Sequence, residues 1–374
     1  MSHVEGLVLA SLSGQVAVVI APGLTGTAEG FVEWFSPLLE GEAGVDVVAS
    51  IDWRGFGGSV GPYTPEAPPS GPKAPDYSAI SLDQLAEDLR SLVERMSSPP
   101  SPPPSPLSSP GSRRILLLAH SMGVNVLLTL AEKHGLSGFA GLALLDQGVK
   151  MCDEPAVARD PSFPAGHAMA ATLSELAALT APFTEFDEDK QAYTVLEGLK
   201  GFFQAPSPTK QTAIFAQTQA GVDRWMEHAA RSGLNGAVVS RLIYDTCSRD
   251  LTGAVSGALR DSGVPTLWYG GELSLVPVEA LRWAAEASSC TAQSCKAGGG
   301  RAVGGAPACV RPAGSPLHVY LEFSGTAGNH CPWLNEDGTQ EEFMQAIHRF
   351  IAHSLARERA PAGWPKRCFR PARV

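Results

Sequence analysis

Ser121 stands where chemistry could start. It lies in Leu116-Leu-Leu-Ala-His-Ser-Met-Gly123, an apolar run closing on small-x-Ser-x-Gly, and Val124-Asn-Val-Leu-Leu-Thr-Leu-Ala131 follows with a helical pattern. A buried strand that turns sharply into a helix at such a serine lifts the hydroxyl above the sheet edge, in a strained backbone conformation. The turn is tight enough that the positions two before and two after must be small, and Ala119 and Gly123 are. The chemistry on offer is nucleophilic attack. A neutral alcohol attacks poorly near pH 7, so the serine needs a base within hydrogen-bond reach and preorganised donors for the oxyanion that forms. Taken alone, a Ser-x-Gly pattern also fits an ordinary strand-to-helix turn. His120 is the nearest imidazole, but residues flanking an elbow point in different directions, so it reads as a packing residue.

The elements around the serine decide which reading holds. Short β-branched or leucine-rich runs recur at Gln15–Ile20, Val45–Ser50, Arg114–Ala119, Gly141–Leu145, Pro265–Tyr269 and His318–Phe323. Near-continuous apolar runs of this length are strands buried on both faces, which implies a parallel sheet with helices over it. Ser81–Met96 places Leu82, Leu85, Leu89, Leu92 and Val93 at helical spacing, and Glu341–Leu355 does the same with Phe343, Ala346, Ile347 and Ile351. The fold class is therefore α/β, with a mostly parallel central sheet. Residues 1–150 form its first part, 264–374 its second, and Met151–Gly263 reads as an inserted helical cap because its amphipathic stretches show no obvious strand. Two segments carry no packing pattern. Residues 97–112 are almost wholly Ser and Pro, a composition for an extended loop, and 288–315 are rich in Gly, Ala, Ser and Cys.

Further landmarks occur in order along the chain. Ala21-Pro-Gly-Leu-Thr-Gly26 follows the first strong strand, Ile51-Asp-Trp-Arg-Gly-Phe-Gly-Gly-Ser59 the second, and Gly328-Asn-His-Cys-Pro-Trp333 lies after the last strand and before a helix. With the serine motif they resemble the α/β-hydrolase superfamily, over most of the chain outside the two low-complexity loops. His120-Ser-Met-Gly123 together with Leu145-Asp-Gln147 is most similar to its esterase and non-haem chloroperoxidase-like group. The resemblance implies Ser121 as nucleophile and His330 as base, in the nucleophile-first chain order of this fold. It implies an oxyanion hole from the backbone amides of Leu24 and Met122, with Pro22 where the family usually has histidine. Asp52 and Arg54 read as turn and packing determinants, with an ion pair open to them.

The acid departs from the family pattern. After the strand ending at Tyr269, the usual spacing puts an aspartate at position 273, and the chain has Leu273 there. Asp146, at the end of the strand after the elbow helix, is preferred by analogy with relatives such as haloalkane dehalogenases, which draw their acid from that strand end. Its other reading is a cap on the next segment. Glu272 is the alternative acid. Haloalkane dehalogenation itself needs a carboxylate at the elbow, where this chain has serine.

Composition narrows the partners. The net charge of −10 opposes binding to a phosphate backbone, so nucleic acid is excluded as a partner. No apolar stretch near the N-terminus approaches the roughly 20 residues of a spanning helix, and no basic leader precedes Arg54, so neither a membrane span nor a targeting signal is expected. Seven scattered cysteines suit a reducing compartment, taken as the cytoplasm; Cys290, Cys295 and Cys309 lack paired metal-ligand spacing, so no metal is assigned. The expected activity is serine hydrolysis, without cofactor, of an ester or related acyl bond in a small apolar substrate. Phe183, Phe186, Phe202, Phe203, Phe215 and Trp225 are the candidate lining. A cofactor-free perhydrolase and a slow or non-catalytic binding protein are the alternatives. Oligomeric state is not readable from the sequence.

Overall fold

Seven strands make the main sheet, in the order β1-β3-β2-β4-β5-β8-β9. They are β1 (Leu7–Leu9), β2 (Val16–Ala21), β3 (Val47–Ile51), β4 (Arg114–His120), β5 (Phe139–Leu145), β8 (Thr266–Gly271) and β9 (His318–Phe323). Each neighbouring pair is parallel except β1–β3, which is antiparallel. The computed structural model describes residues 7–9, 16–40, 44–59, 80–97, 113–154, 159–168, 170–172, 174–175, 186–187, 192–193, 219–231, 236–274, 276–289, 318–323, 329–335 and 338–356. Almost all of the Ser/Pro and Gly/Cys-rich segments, and Phe183, Phe202, Phe203, Phe215, Cys290, Cys295, Cys309 and Cys368, lie outside them.

The six expected strands are present within two residues of their predicted ends, because β2 through β5 and β8 are buried on both faces and so carry an uninterrupted apolar signal. Sheet-covering helices are α1 (Ala28–Phe35), α2 (Leu82–Ser97), α3 (Met122–His134), α6 (Val278–Ser289) and α7 (Thr339–Ala356). α2 buries Leu82, Leu85, Leu89 and Leu92, the stripe its periodicity predicts. Two cap helices follow β5: α4 (Gln219–Arg231) and α5 (Gly236–Ser248). The inserted region also holds a small antiparallel pair, β6 (Phe186–Asp187) with β7 (Ala192–Tyr193). Two-residue strands are too short to show alternation, which is why the sequence shows helices alone there. A helical stretch from Thr252 to Ser262, with a π turn over Val255–Leu259, leads into β8, and its Ala254, Val255 and Leu259 join the main core.

Cap and core are fastened at two places. Arg249 pairs with Asp245 on α5 and with Asp83 on α2, while the Leu82 amide donates to Asp245 Oδ2 at 2.6 Å. On the other side, Trp225 of α4 stacks on Trp34 of α1 at 5.4 Å between centroids and donates from Nε1 to Thr25 Oγ1 at 3.2 Å. Among the described residues no helix is long and apolar enough to cross a membrane.

Candidate active site

The end of β4 turns through Ser121 with φ +50° and ψ −128°, and α3 begins at the next residue. That positive φ is unfavourable for a residue with a Cβ and persists because the surroundings over-determine it. The Ser121 amide donates to the Leu145 carbonyl at 2.9 Å, and the Val124 amide returns to the Ser121 carbonyl at 2.8 Å. Gly123 has no room for a side chain: a Cβ there would lie 2.2 Å from the Ala21 carbonyl oxygen. Ser121 is half-buried, on the side where the strands end.

The loop after β2 approaches the same elbow. A Cβ on Gly23 would meet Ser121 Cβ at 3.0 Å and His120 Nδ1 at 2.8 Å, so glycine sets how close the loop can come. Thr25 takes φ +66°, and Gly26 donates back to the Gly23 carbonyl at 3.1 Å, which closes the turn around half-buried Leu24. Met122 opens α3, so its amide is among those a helix leaves without an internal acceptor. Pro22 also accepts a hydrogen bond from Trp53 Nε1 at 3.0 Å through its carbonyl, which anchors the loop by its backbone.

His330 and Asp146 meet next to the elbow. His330 Nδ1 donates to Asp146 Oδ2 at 2.7 Å. The carboxylate is fully buried at the tip of β5, where Asp146 takes φ +49° and its amide donates to the Tyr269 carbonyl at 2.9 Å. Ser274 Oγ donates to the same oxygen, while Oδ1 has no partner among the described residues. Glu272 is exposed, its amide tied to the Phe323 carbonyl at 3.0 Å. Ser274 has no sequence signal beyond its place one residue past the missing acid.

The loop that carries His330 is clamped from below. Tyr269, fully buried on β8, donates its hydroxyl to the Asn329 carbonyl at 2.7 Å, and burial together with the Asp146 charge pushes its ionisation well above the ordinary range. Asn329 in turn accepts from the Cys331 amide at 3.0 Å and donates to Asn335 Oδ1 at 2.8 Å. His120, expected to be packing, is fully buried among Phe31, Trp225, Trp333 and His330. Its Nε2–H donates to the His330 carbonyl at 3.2 Å, so it also ties the elbow to the histidine loop. Burial holds its imidazole well below the usual range, hence neutral, and the neighbouring His330 acts in the same direction. This tie spans 210 residues of chain and leaves no trace in local spacing.

Asp52 and Arg54 are engaged elsewhere. Asp52 accepts from the Ala28 amide at 2.7 Å and the Gly58 amide at 2.9 Å, and Arg54 pairs with Asp88 at 2.5 and 2.8 Å. Of the candidate lining, Trp225 is buried against His120, and Phe186 is described only as part of β6.

The model of the family described as Alpha/beta hydrolase family matches residues 18–337. Solved structures share the fold at low identity. A bromoperoxidase from Bacillus anthracis matches at 17% identity and a TM-score of 0.56, covering 92% of this chain and 94% of that one. An esterase (EaEST) from Exiguobacterium antarcticum matches at 15% and 0.55 over 92% and 95%, and MenH from S. aureus at 14% and 0.56 over 93% and 98%. No curated protein matches the chain.

Proposed function

We propose that this chain, which belongs to the alpha/beta hydrolase family, is a serine hydrolase that cleaves an ester or related acyl bond of a small apolar substrate. The observation that carries the reading is the buried 2.7 Å hydrogen bond from His330 Nδ1 to Asp146 Oδ2 at the strand end beside the elbow. A carboxylate in that place fixes the imidazole tautomer, so that Nε2 is the basic nitrogen, and it stabilises the imidazolium that forms without taking the proton itself.

In the reaction so assigned, His330 removes the Ser121 hydroxyl proton as Oγ adds to the acyl carbon. The oxyanion falls to the amides of Met122 and Leu24, and the N-terminus of α3 favours its charge. His330 then protonates the leaving alcohol. Water, deprotonated by the same imidazole, releases the acid from the acyl-enzyme. Hydrogen peroxide in place of that water would make the chain a perhydrolase with the same residues. Phe31, Trp225 and Trp333 pack together beside the elbow, an apolar surrounding in keeping with an apolar substrate. Cys152 and Cys247 are buried free thiols, which supports a reducing compartment such as the cytoplasm.

Intact-mass measurement after treatment with a fluorophosphonate probe tests the assignment. One adduct on the wild type and none on Ser121→Ala is the expected result. A wild type that never takes up the probe, although folded, would replace this reading with a binding protein on the same fold.

A further inference from the structure

We infer that the same corner binds a soft divalent metal ion of the zinc type through His120, His330 and Cys331, and that the bound ion switches hydrolysis off. Binding stands on the three side chains alone; the switching rests on the serine hydrolase reading above.

The donor atoms are already assembled. One ligand atom from each of the three residues lies within 4.8 Å of the others, and all three residues are buried. Cys331 Sγ is 3.9 Å from His120 Nε2. Zinc bonds of about 2.3 Å to sulfur and about 2.0–2.1 Å to nitrogen, at a tetrahedral angle, put two such donors about 3.6 Å apart. This pair would need to close by a few tenths of an ångström, and the other pairs, which lie within 4.8 Å, by up to about 1.5 Å. Two imidazoles and a thiol form a nitrogen and sulfur set, which selects zinc-like ions over magnesium or calcium.

The surroundings suit a bound ion. A zinc-bound histidine ordinarily gives its other ring N–H to a carboxylate, which orients the ring and makes the ligand nitrogen more basic. His330 already does so through Nδ1 to Asp146, so coordination falls to Nε2. His120 would give up its bond to the His330 carbonyl and move its proton from Nε2 to Nδ1. Nδ1 is buried and has no hydrogen-bond partner among the described residues, so the shift breaks no bond at that nitrogen. His330 and Cys331 have further contacts, which binding would have to accommodate. On binding, the Cys331 S–H bond breaks, the sulfur–metal bond forms and one proton leaves to solvent. The ion then holds the nitrogen that has to accept the Ser121 proton.

The test uses the full chain with Cys290, Cys295, Cys309 and Cys368 replaced by serine, so that they contribute no uptake. Zinc binding is measured by equilibrium dialysis for this background, for the background with Ser121→Ala and for the background with Cys331→Ala. Fluorophosphonate labelling of the first and third is followed with added zinc. Tight uptake of one ion is expected in the first two. In the Cys331→Ala chain affinity should fall by more than the roughly 10–100-fold that loss of an outer-shell partner costs. Zinc should block labelling of the background chain, a chelator should restore it, and the Cys331→Ala chain should label at the same zinc concentration. Equal uptake with and without Cys331 overturns the site, and uptake that leaves labelling unchanged overturns the switch. A background chain that binds zinc but never labels in its absence would sink the hydrolase assignment and leave the metal site standing.

Discussion

Two buried aspartates follow strands of the same sheet and are held in opposite ways. Asp52, after β3, spends both oxygens on backbone: Oδ1 accepts from the Ala28 amide at the start of α1, and Oδ2 accepts from the Gly58 amide. Thr27 caps the same helix by accepting from the Gly30 amide at 3.0 Å, so Asp52 completes a helix N-terminus from across the sheet. Gly57 is packed so closely on the carboxylate that a Cβ would lie 2.3 Å from Asp52 Cγ. Asp146, after β5, directs one oxygen at two side chains, Ser274 and His330, and leaves the other without a partner among the described residues. A carboxylate filled by amides is a latch, because its donors cannot move without moving the fold. One aimed at an imidazole can respond to the charge on that imidazole, which is what a triad acid must do.

The two carboxylates should fail differently when neutralised. Asp146→Asn keeps the shape but removes the negative charge that stabilises the imidazolium, so kcat on a short p-nitrophenyl ester should fall by roughly 10⁴-fold. Its melting temperature should stay near that of the wild type. Glu272→Gln, which alters an exposed side chain, should leave the rate within about twofold. A reversed pattern would move the acid to Glu272. Asp52→Asn should do the opposite, since the amide nitrogen would face an N–H donor and strand it. Urea unfolding should show a loss of about 1–3 kcal/mol, while fluorophosphonate labelling proceeds at the wild-type rate.

That contrast also explains what the sequence could show. The elbow was legible because it is contiguous: Ala119, Ser121 and Gly123 meet steric demands within five residues, and β4 carries a buried-strand signal into them. His330 was legible from its loop. The latch was legible as a turn, but not its partners: Arg54 reaches Asp88 on α2, and Asp52 reaches α1. Asp146 is readable only by analogy, because a strand-end aspartate looks the same whether it caps a turn or orients a histidine. Ser274, Tyr269 and the tie from His120 to His330 depend on strands brought together by folding, and no local spacing encodes them. The edge strand Leu7–Leu9 and the β6–β7 pair were missed because two or three residues show no periodicity.

Ser274 offers a finer way to divide orientation from charge. Ser274→Ala removes one donor to Asp146 Oδ2 and leaves the carboxylate in place, so a loss of about 0.5–1.5 kcal/mol in orientation predicts a drop in kcat of roughly 2- to 13-fold with KM unchanged. A loss as deep as that of Asp146→Asn would mean that the carboxylate has no other means of keeping its position.

The smallest effect belongs to the latch and is read against pH. Burial raises the Asp52 carboxyl above its ordinary value of 3.8, and the Ala28 and Gly58 amides only partly offset this. Between 3.8 and the raised folded value, the folded chain therefore holds a proton that the unfolded chain has released. Because stability falls with rising pH wherever the folded state binds more protons, Asp52 contributes most below 3.8 and loses part of that contribution as pH rises through the folded value. For one proton the slope cannot exceed about 1.4 kcal/mol per pH unit. Asp52→Asn has no such group, so the stability difference between wild type and variant should be largest in acid and shrink as pH climbs out of the carboxylate range. Urea titrations of the two proteins at half-unit steps from pH 3.5 would read it. A difference that instead grows over that range would show that the two amides outweigh burial, and that the latch works best as an anion.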